Sequence, residues 1–211
     1  GRLSNVGYAI KENVARSWRR GVELAASWQA LAWLRADANL TLSVNRIKDY
    51  TDYVQHVDTY DNWSETGKTT AMNYGTTTML MSPSLTGMAR LSFKPWCHAS
   101  SSLKTMELSM DGKYVGKQYM DNTMTDSRSI PAYFVSNLAV SYSFPLSGSV
   151  GFAREDSIRI SFYVNNVFNN MYYADGWCWK NLIEEDGAVV DGIGVYPQAP
   201  INCMLKVSLR F

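Results

Sequence analysis

The chain has 211 residues, 46% of them hydrophobic and 18% charged, with a formal net charge of +1. That balance excludes a disordered segment, which is poor in apolar residues, and a nucleic-acid-binding domain, which carries a basic excess. No run approaches the ~20 uncharged apolar residues of a membrane-spanning helix, whereas 13 Tyr and 7 Trp suit the aromatic girdles of a membrane β-barrel.

The first predicted strand covers residues 14–28. Val22, Leu24, Ala26 and Trp28 alternate there with Glu23, Ala25, Ser27 and Gln29. Leu24, Trp28 and Leu31 also fit a helical face, and the alanines favour helix. The strand reading continues the pattern that follows: in residues 33–47, Leu34, Ala36, Ala38, Leu40, Leu42 and Val44 oppose Arg35, Asp37, Asn39, Thr41, Ser43 and Asn45. Strands over 78–94 and 102–110 come next. In 132–144, Phe134, Leu138, Val140, Tyr142 and Phe144 oppose Tyr133, Val135, Asn137, Ser141 and Ser143, with Val135 and Ser136 as imperfections. In 156–168, Ile158, Ile160, Phe162 and Val164 oppose Ser157, Arg159, Ser161, Tyr163 and Asn165. Residues 200–211 close the series, Cys203, Leu205, Val207 and Leu209 opposing Met204, Lys206, Ser208 and Arg210.

Each pattern describes a strand with oil on one face and water on the other, and ~9 to 11 residues suffice for a tilted strand to cross a bilayer. The connections alternate in length. Short ones fall at 29–32, 95–101 and 145–155, and long ones at 48–77, 111–131 and 169–199, as in barrels with short periplasmic turns and long extracellular loops. The expected fold is therefore all-β, a transmembrane antiparallel barrel wall. The last strand follows a long loop, so Phe211 is expected at the periplasmic interface and residues 1–13 outside the cell.

About seven strands cannot close an even-stranded barrel, and an unpaired strand edge in hydrocarbon leaves N–H and C=O groups unmatched at several kcal/mol each. The chain is thus expected to pair, near Glu23 and near Lys206, with further barrel strands supplied as a separate chain or fragment. A start at Gly1 with no signal-like segment agrees with a processed, trimmed or fragmentary polypeptide.

Several motifs are specific. Ser17-Trp18-Arg19-Arg20-Gly21-Val22-Glu23-Leu24 resembles the S-x-R-x-G-[VI]-E-L strand of TonB-dependent outer-membrane receptors. Residues 113–123, KYVGKQYMDNT, resemble the Y-V-G-x-Q-Y-x-D-N-T segment of such receptors from the Bacteroidetes. Residues 164–172, VNNVFNNMY, resemble their N-N-[LV]-F-[DN]-x-x-Y strand end, and residues 196–200, YPQAP, the approach to their last strand. The resemblance implies the C-terminal part of a barrel of roughly 22 strands, with the plug domain and the segment that contacts TonB lying outside this sequence. It implies active import of a scarce small-molecule ligand, in the branch resembling iron-siderophore, haem or cobalamin receptors, across an outer membrane whose lipid surrounds the wall. No enzymatic activity and no cofactor are implied.

Candidate capture residues lie in the long loops: Tyr53, His56, Tyr60, Trp63 and Tyr74 in the first, Tyr114 and Tyr119 in the second, Tyr173, Trp177 and Trp179 in the third. Aromatic rings stack on flat ligands at low entropic cost; the competing role is loop packing or the outer girdle. Arg35, Asp37, Arg90, Glu107, Arg159 and Arg210 are expected to face the lumen, meeting water or the plug. Asn165 and Asn166 fit strand-end hydrogen bonding. His56 and His98 fall at opposite ends of the topology, so no shared metal site is expected. Two other functional classes compete: a barrel enzyme, for which no nucleophile, base and acid fall at one level, and a soluble β-sheet protein that binds a ligand or partner. A small outer-membrane barrel without TonB coupling is the third alternative.

Overall fold

Period-two alternation turns one face of each strand apolar, and the chain folds so that all these faces lie on the same side of one sheet. The computed structural model describes residues 14, 16–99, 102–145 and 157–210. The strands are β1 (Ser17–Leu31), β2 (Leu34–Asp58), β3 (Ser64–Thr78), β4 (Leu85–Phe93), β5 (Glu107–Val115), β6 (Gln118–Tyr119), β7 (Ser129–Ile130), β8 (Tyr133–Pro145), β9 (Ser157–Asn165), β10 (Tyr173–Ile183), β11 (Val189–Pro197) and β12 (Asn202–Arg210). Seven of them form a curled antiparallel wall in the order β1-β2-β4-β5-β8-β9-β12. β1 and β12 are its edge strands.

Register places apolar residues opposite one another across the wall. Leu24 faces Leu40, Ala36 faces Leu91, Leu91 faces Met110, Met110 faces Leu138, Leu138 faces Val164 and Val164 faces Cys203. This face is bare, with Leu24, Trp28, Leu91 and Leu205 all more than half exposed. The helical alternative at β1 fails because fourteen of its residues pair with β2 in a register broken only near Gln29.

The ends of the wall carry aromatics. Trp18, Tyr114 and Phe134 mark one end of the apolar face, with Phe168 beside Phe134 at 6.5 Å. Trp28 lies toward the other end, where Trp33 packs edge-on against Phe93 at 5.3 Å. The ten residue steps from Trp18 to Trp28 rise ~33 Å along the strand and ~25 Å along the axis of a barrel whose strands tilt by about 40°, the height of a lipid-facing band. Ser136, the imperfection on this face, is fully buried and its hydroxyl donates to the Asp111 carbonyl at 2.8 Å.

Four expectations need correction. The strand expected over 78–94 is broken: β3 ends at Thr78 and β4 starts at Leu85, because Met81 takes φ 48° and Pro83 has no N–H to offer. The strand expected over 102–110 is shifted. Residues Ser102–Thr105 make a 3-10 turn and β5 runs Glu107–Val115, since β4 ends at Phe93, opposite Leu108, and gives the earlier residues no partner. Asp111 and Gly112, expected in the long connection 111–131, lie mid-strand, the ring of Phe134 occupying the space a side chain at Gly112 would fill. The long connections are themselves sheet. β2 continues eleven residues past Ile47 to Asp58 and returns as β3, β6 and β7 make a small hairpin, and β10 and β11 make a longer one. Tyr114 consequently belongs to the wall strand β5. The expected positions of residues 1–13 and of Phe211, and most of the turn at 145–155, lie outside the described residues.

Candidate functional site

The polar face of the wall is a ladder of matched side chains. Ser27, Asp37, Arg90, Asp111 and Asn137 are successive register partners across five strands. Ser27 donates to Asp37 at 2.7 Å, Arg90 to Asp111 at 3.3 Å and Asn137 to Asp111 at 2.9 Å. Arg35 grips the Asp37 carboxylate at 2.8 Å from the neighbouring rung. Glu107 draws in Lys94 at 3.6 Å and Arg159 at 3.8 Å. Thus Arg35, Asp37, Arg90, Glu107 and Arg159 share one face, and their charges answer one another. Arg210, opposite Ser157, stands at the edge of the same face. A cleft of about 600 Å³ opens among Arg35, Asp37, Arg90, Lys94 and Glu107. Asp111 and Asn137 were not in the expected set; assigning residue 111 to a loop hid this pair.

The strand ends on the long-connection side are stitched by Asn166, which is buried and takes φ 52°. Its backbone N–H donates to Asn137 at 3.0 Å, its side-chain amide donates to the carbonyls of Asn170 and Ala199, and its Oδ1 accepts from the Asn170 N–H. The Asn-Asn motif is therefore structural at this position.

Beyond the wall the three long connections fuse. A bulge with Asp49 at φ 51° redirects β2, and its extension pairs with β3 on one side and, in parallel, with β10 on the other, where Leu182 faces His56. Lys180, only 8% exposed at its side chain, binds Asp52 at 2.5 Å, donates to the Tyr74 hydroxyl at 3.0 Å and lies 4.6 Å from the Tyr74 ring centroid. His56 is held at both ring nitrogens, by Glu184 at 2.6 Å and Thr70 at 2.7 Å. Lys68 closes on the same Glu184. The Lys68 ammonium, with His56 next, holds the Glu184 carboxyl below the usual carboxylate range.

The second connection joins through Arg128, whose side chain is 4% exposed. It binds Asp121 at 2.7 Å, Asp191 of β11, and the hydroxyls of Thr123 and Thr125. Burial pushes the Asp121 carboxyl up, but the hydrogen bonds from Thr123 and Arg128 outweigh it, so the group stays below its ordinary value. The Asn122 side chain accepts from the Leu80 N–H at 2.8 Å and also bonds Tyr50. Burial, helped by the Asp52 charge, pushes the Tyr50 hydroxyl up to about 12. Asp52, Asp121, Arg128, Lys180, Glu184 and Asp191 were all missed by sequence reasoning. They lie on three separate segments, and no local pattern links them.

The aromatic candidates separate into groups. Tyr60, 89% exposed, and Trp63 form the tip of the β2–β3 hairpin. Trp177 and Trp179 stand on one face of β10, half exposed, their indoles lying over Gly194 and Gly192 of β11. Tyr53, His56 and Tyr74 are partly buried within the fused sheet, Tyr173 begins β10, and Tyr119 in β6 donates to Asp126 at 3.2 Å under the Lys117 ammonium. Tyr114 lies on the apolar wall face opposite Phe134.

The wall architecture has clear parallels. Residues 2–167 match the family described as TonB dependent receptor-like, beta-barrel. The chain belongs to the TonB-dependent receptor β-barrel family. That family is one of outer-membrane β-barrels in Gram-negative bacteria. Among solved structures, the siderophore receptor PiuA from Acinetobacter baumannii shares the fold at TM-score 0.59 and 14% identity, over 90% of this chain and 21% of that one. BauA, the ferric preacinetobactin receptor from the same bacterium, does so at TM-score 0.56 and 15% identity, over 92% and 22%. The chain spans about a fifth of the length of these receptors. No curated protein matches it. The soluble-sheet alternative is overturned by the family match.

Proposed function

We propose that this chain supplies barrel wall and extracellular roof to an outer-membrane receptor that imports an iron–siderophore-like chelate, with haem and cobalamin as the other ligand classes. In this reading the plug and the remaining strands are contributed by further sequence of the same receptor, as a separate chain or fragment, and pair with β1 and β12. TonB acts through that plug. The observation that carries the proposal is the joining of all three long connections into one body, which leaves Tyr60, Trp63, Trp177 and Trp179 exposed. A roof fixed before binding gives up little order on capture, which favours a scarce ligand. The two A. baumannii neighbours, by name a siderophore receptor and a ferric preacinetobactin receptor, support the same ligand class. This chain does no covalent chemistry in the scheme; it binds, encloses and guides.

The test is uptake of radiolabelled iron chelates, haem and cobalamin by cells that depend on the full receptor, with and without collapse of the proton-motive force. One ligand class is expected to enter, and only in energised cells. Double substitution of Trp177→Ala and Trp179→Ala is expected to raise half-saturation about tenfold, given roughly 0.5–1.5 kcal/mol per stacked ring. Entry of none of these ligands overturns the reading, and entry that survives de-energisation overturns the TonB coupling.

A further inference from the structure

A cationic patch lies where lipid tails end. On β1, Trp18 and Arg20 share the face of Val22, Leu24 and Trp28, because the β1–β2 register runs unbroken from Ser17 to Gln29. On β2, Val44 and Arg46 share the face of Leu40 and Leu42, with Arg20 opposite Val44 and Trp18 opposite Arg46. Two arginines thus project from the lipid-facing side of the wall, one and two rungs beyond its last aliphatic pair, Val22 and Leu42. They stand at the end that carries the long connections.

Neither arginine meets a carboxylate among the described residues. The Arg20 guanidinium lies 4.5 Å from the Trp18 ring centroid, and Arg46 donates to the Met124 sulfur at 3.4 Å. Among the described residues, the polar-face ladder and the Arg128 knot by contrast pair their charges internally. An arginine on a lipid face is tolerated only near the interface, where its fork reaches a headgroup. Next to Arg46 the sheet opens: between Thr78 and Ser84 the strand leaves the wall, and a cavity of about 280 Å³ forms among Val44, Arg46, Thr78, Ser84, Lys117, Tyr119 and Met124. Lys117 brings a third cation, shared with the exposed Asp126 at 2.5 Å. The Ser84 side chain also lines the cavity.

We infer that Arg20, Arg46 and Lys117 form a site for the phosphate of an outer-leaflet lipid headgroup, the acyl chains lying along Val22, Leu24, Leu40 and Leu42. The assignment rests on the family's barrel orientation and is independent of which ligand the receptor imports. Arginine forks match phosphate oxygens bidentately, and the low-dielectric edge of the bilayer strengthens the pairing. Trp18 holds Arg20 in place and covers the sugar or glycerol portion.

The test is native mass spectrometry of the full receptor in nonionic detergent, titrated with lipid A bearing its phosphates, with the same lipid dephosphorylated, and with inorganic phosphate. The phosphorylated lipid is expected to bind and the dephosphorylated form to bind at least tenfold more weakly. The double variant R20Q/R46Q is expected to lose about 25-fold in affinity, near fivefold per arginine, with unchanged thermal unfolding and heat-modifiable migration. K104Q, at the opposite end of the wall, is expected to bind as the unmodified receptor does. Equal binding of both lipid forms, undiminished binding by the double variant, or an equal loss in K104Q each overturns the site. Saturation by inorganic phosphate at comparable concentration identifies a soluble-anion site and overturns the lipid assignment. Should the double variant not assemble, K117Q alone must lower affinity severalfold, and its failure to do so overturns the proposal.

Discussion

Tyr50 and the glycines beneath the indoles show how single positions are set by their surroundings. Burial beside Asp52 pushes the Tyr50 hydroxyl up to about 12, so the neutral form is favoured in the folded roof. Its contribution is complete below the ordinary phenol value near 10 and is lost as pH rises from there through about 12. Ultraviolet titration of phenolate is expected to show one tyrosine ionising last, together with opening of the roof, and that late step is expected to vanish in Tyr50→Phe. At Gly192 a Cβ would come within 2.7 Å of the Trp179 indole nitrogen. Gly192→Ala is therefore expected to lift that ring, cost about 1 kcal/mol in hairpin stability and shift tryptophan emission to the red; unchanged emission would count against the ring lying on this glycine.

The roof joins charge pairs between its elements to a small buried apolar core of Val54, Val57, Met120 and Ile130. Asp121 and Glu184 both have depressed carboxyl values in the fold. Depressed values mean stability that is present above the unfolded-state values near 4 and lost as pH falls through the folded ones. Amide exchange in β6, β7 and β10 is thus expected to stay slow from neutral pH down to about 4 and to quicken below it, while wall strands keep their protection. Arg128→Met removes the cation shared by Asp121 and Asp191. It is expected to free the second connection at a cost of roughly 2–4 kcal/mol, somewhat below the full loss for a buried pair because both aspartates retain access to water. Limited proteolysis near residues 116–130 reads the release, and resistance equal to the unmodified chain would refute this role.

At the scale of the molecule, the wall depends on which solvent each face meets. Leu24 lies on the lipid face between Trp18 and Trp28. Leu24→Arg is expected to cost about 2–4 kcal/mol in refolding into bilayers, against little for a charge placed on the lumen side. A cost under about 1 kcal/mol would show that the face is not in lipid. The open edges of β1 and β12 predict that the chain alone does not give the heat-modifiable band of a closed barrel, and that adding the rest of the receptor restores it.

How much was legible follows from the range of the forces. Alternation in the segments of β1, lower β2, β8, β9 and β12 fixed wall strands and the lipid face, since a side chain two residues on sees the same solvent. That the residues from Arg35 to Arg159 share the opposite face was legible for the same reason. The limits of β4 and β5 were not: a strand begins where its neighbours offer N–H and C=O groups, and Phe93 ends one partner while Met81 and Pro83 interrupt another. The roof was least legible of all. Lys180 finds Asp52, His56 finds Glu184 and Arg128 finds Asp191 across 128, 128 and 63 residues of sequence or fewer, distances over which composition carries no register. The sequence by itself determined that this chain is barrel wall with one face to lipid and one to the lumen, because solvent polarity acts on each residue locally. Only the tertiary structure decided that its three long connections are one body, because that depends on charges, backbone groups and apolar side chains meeting from segments far apart in the chain.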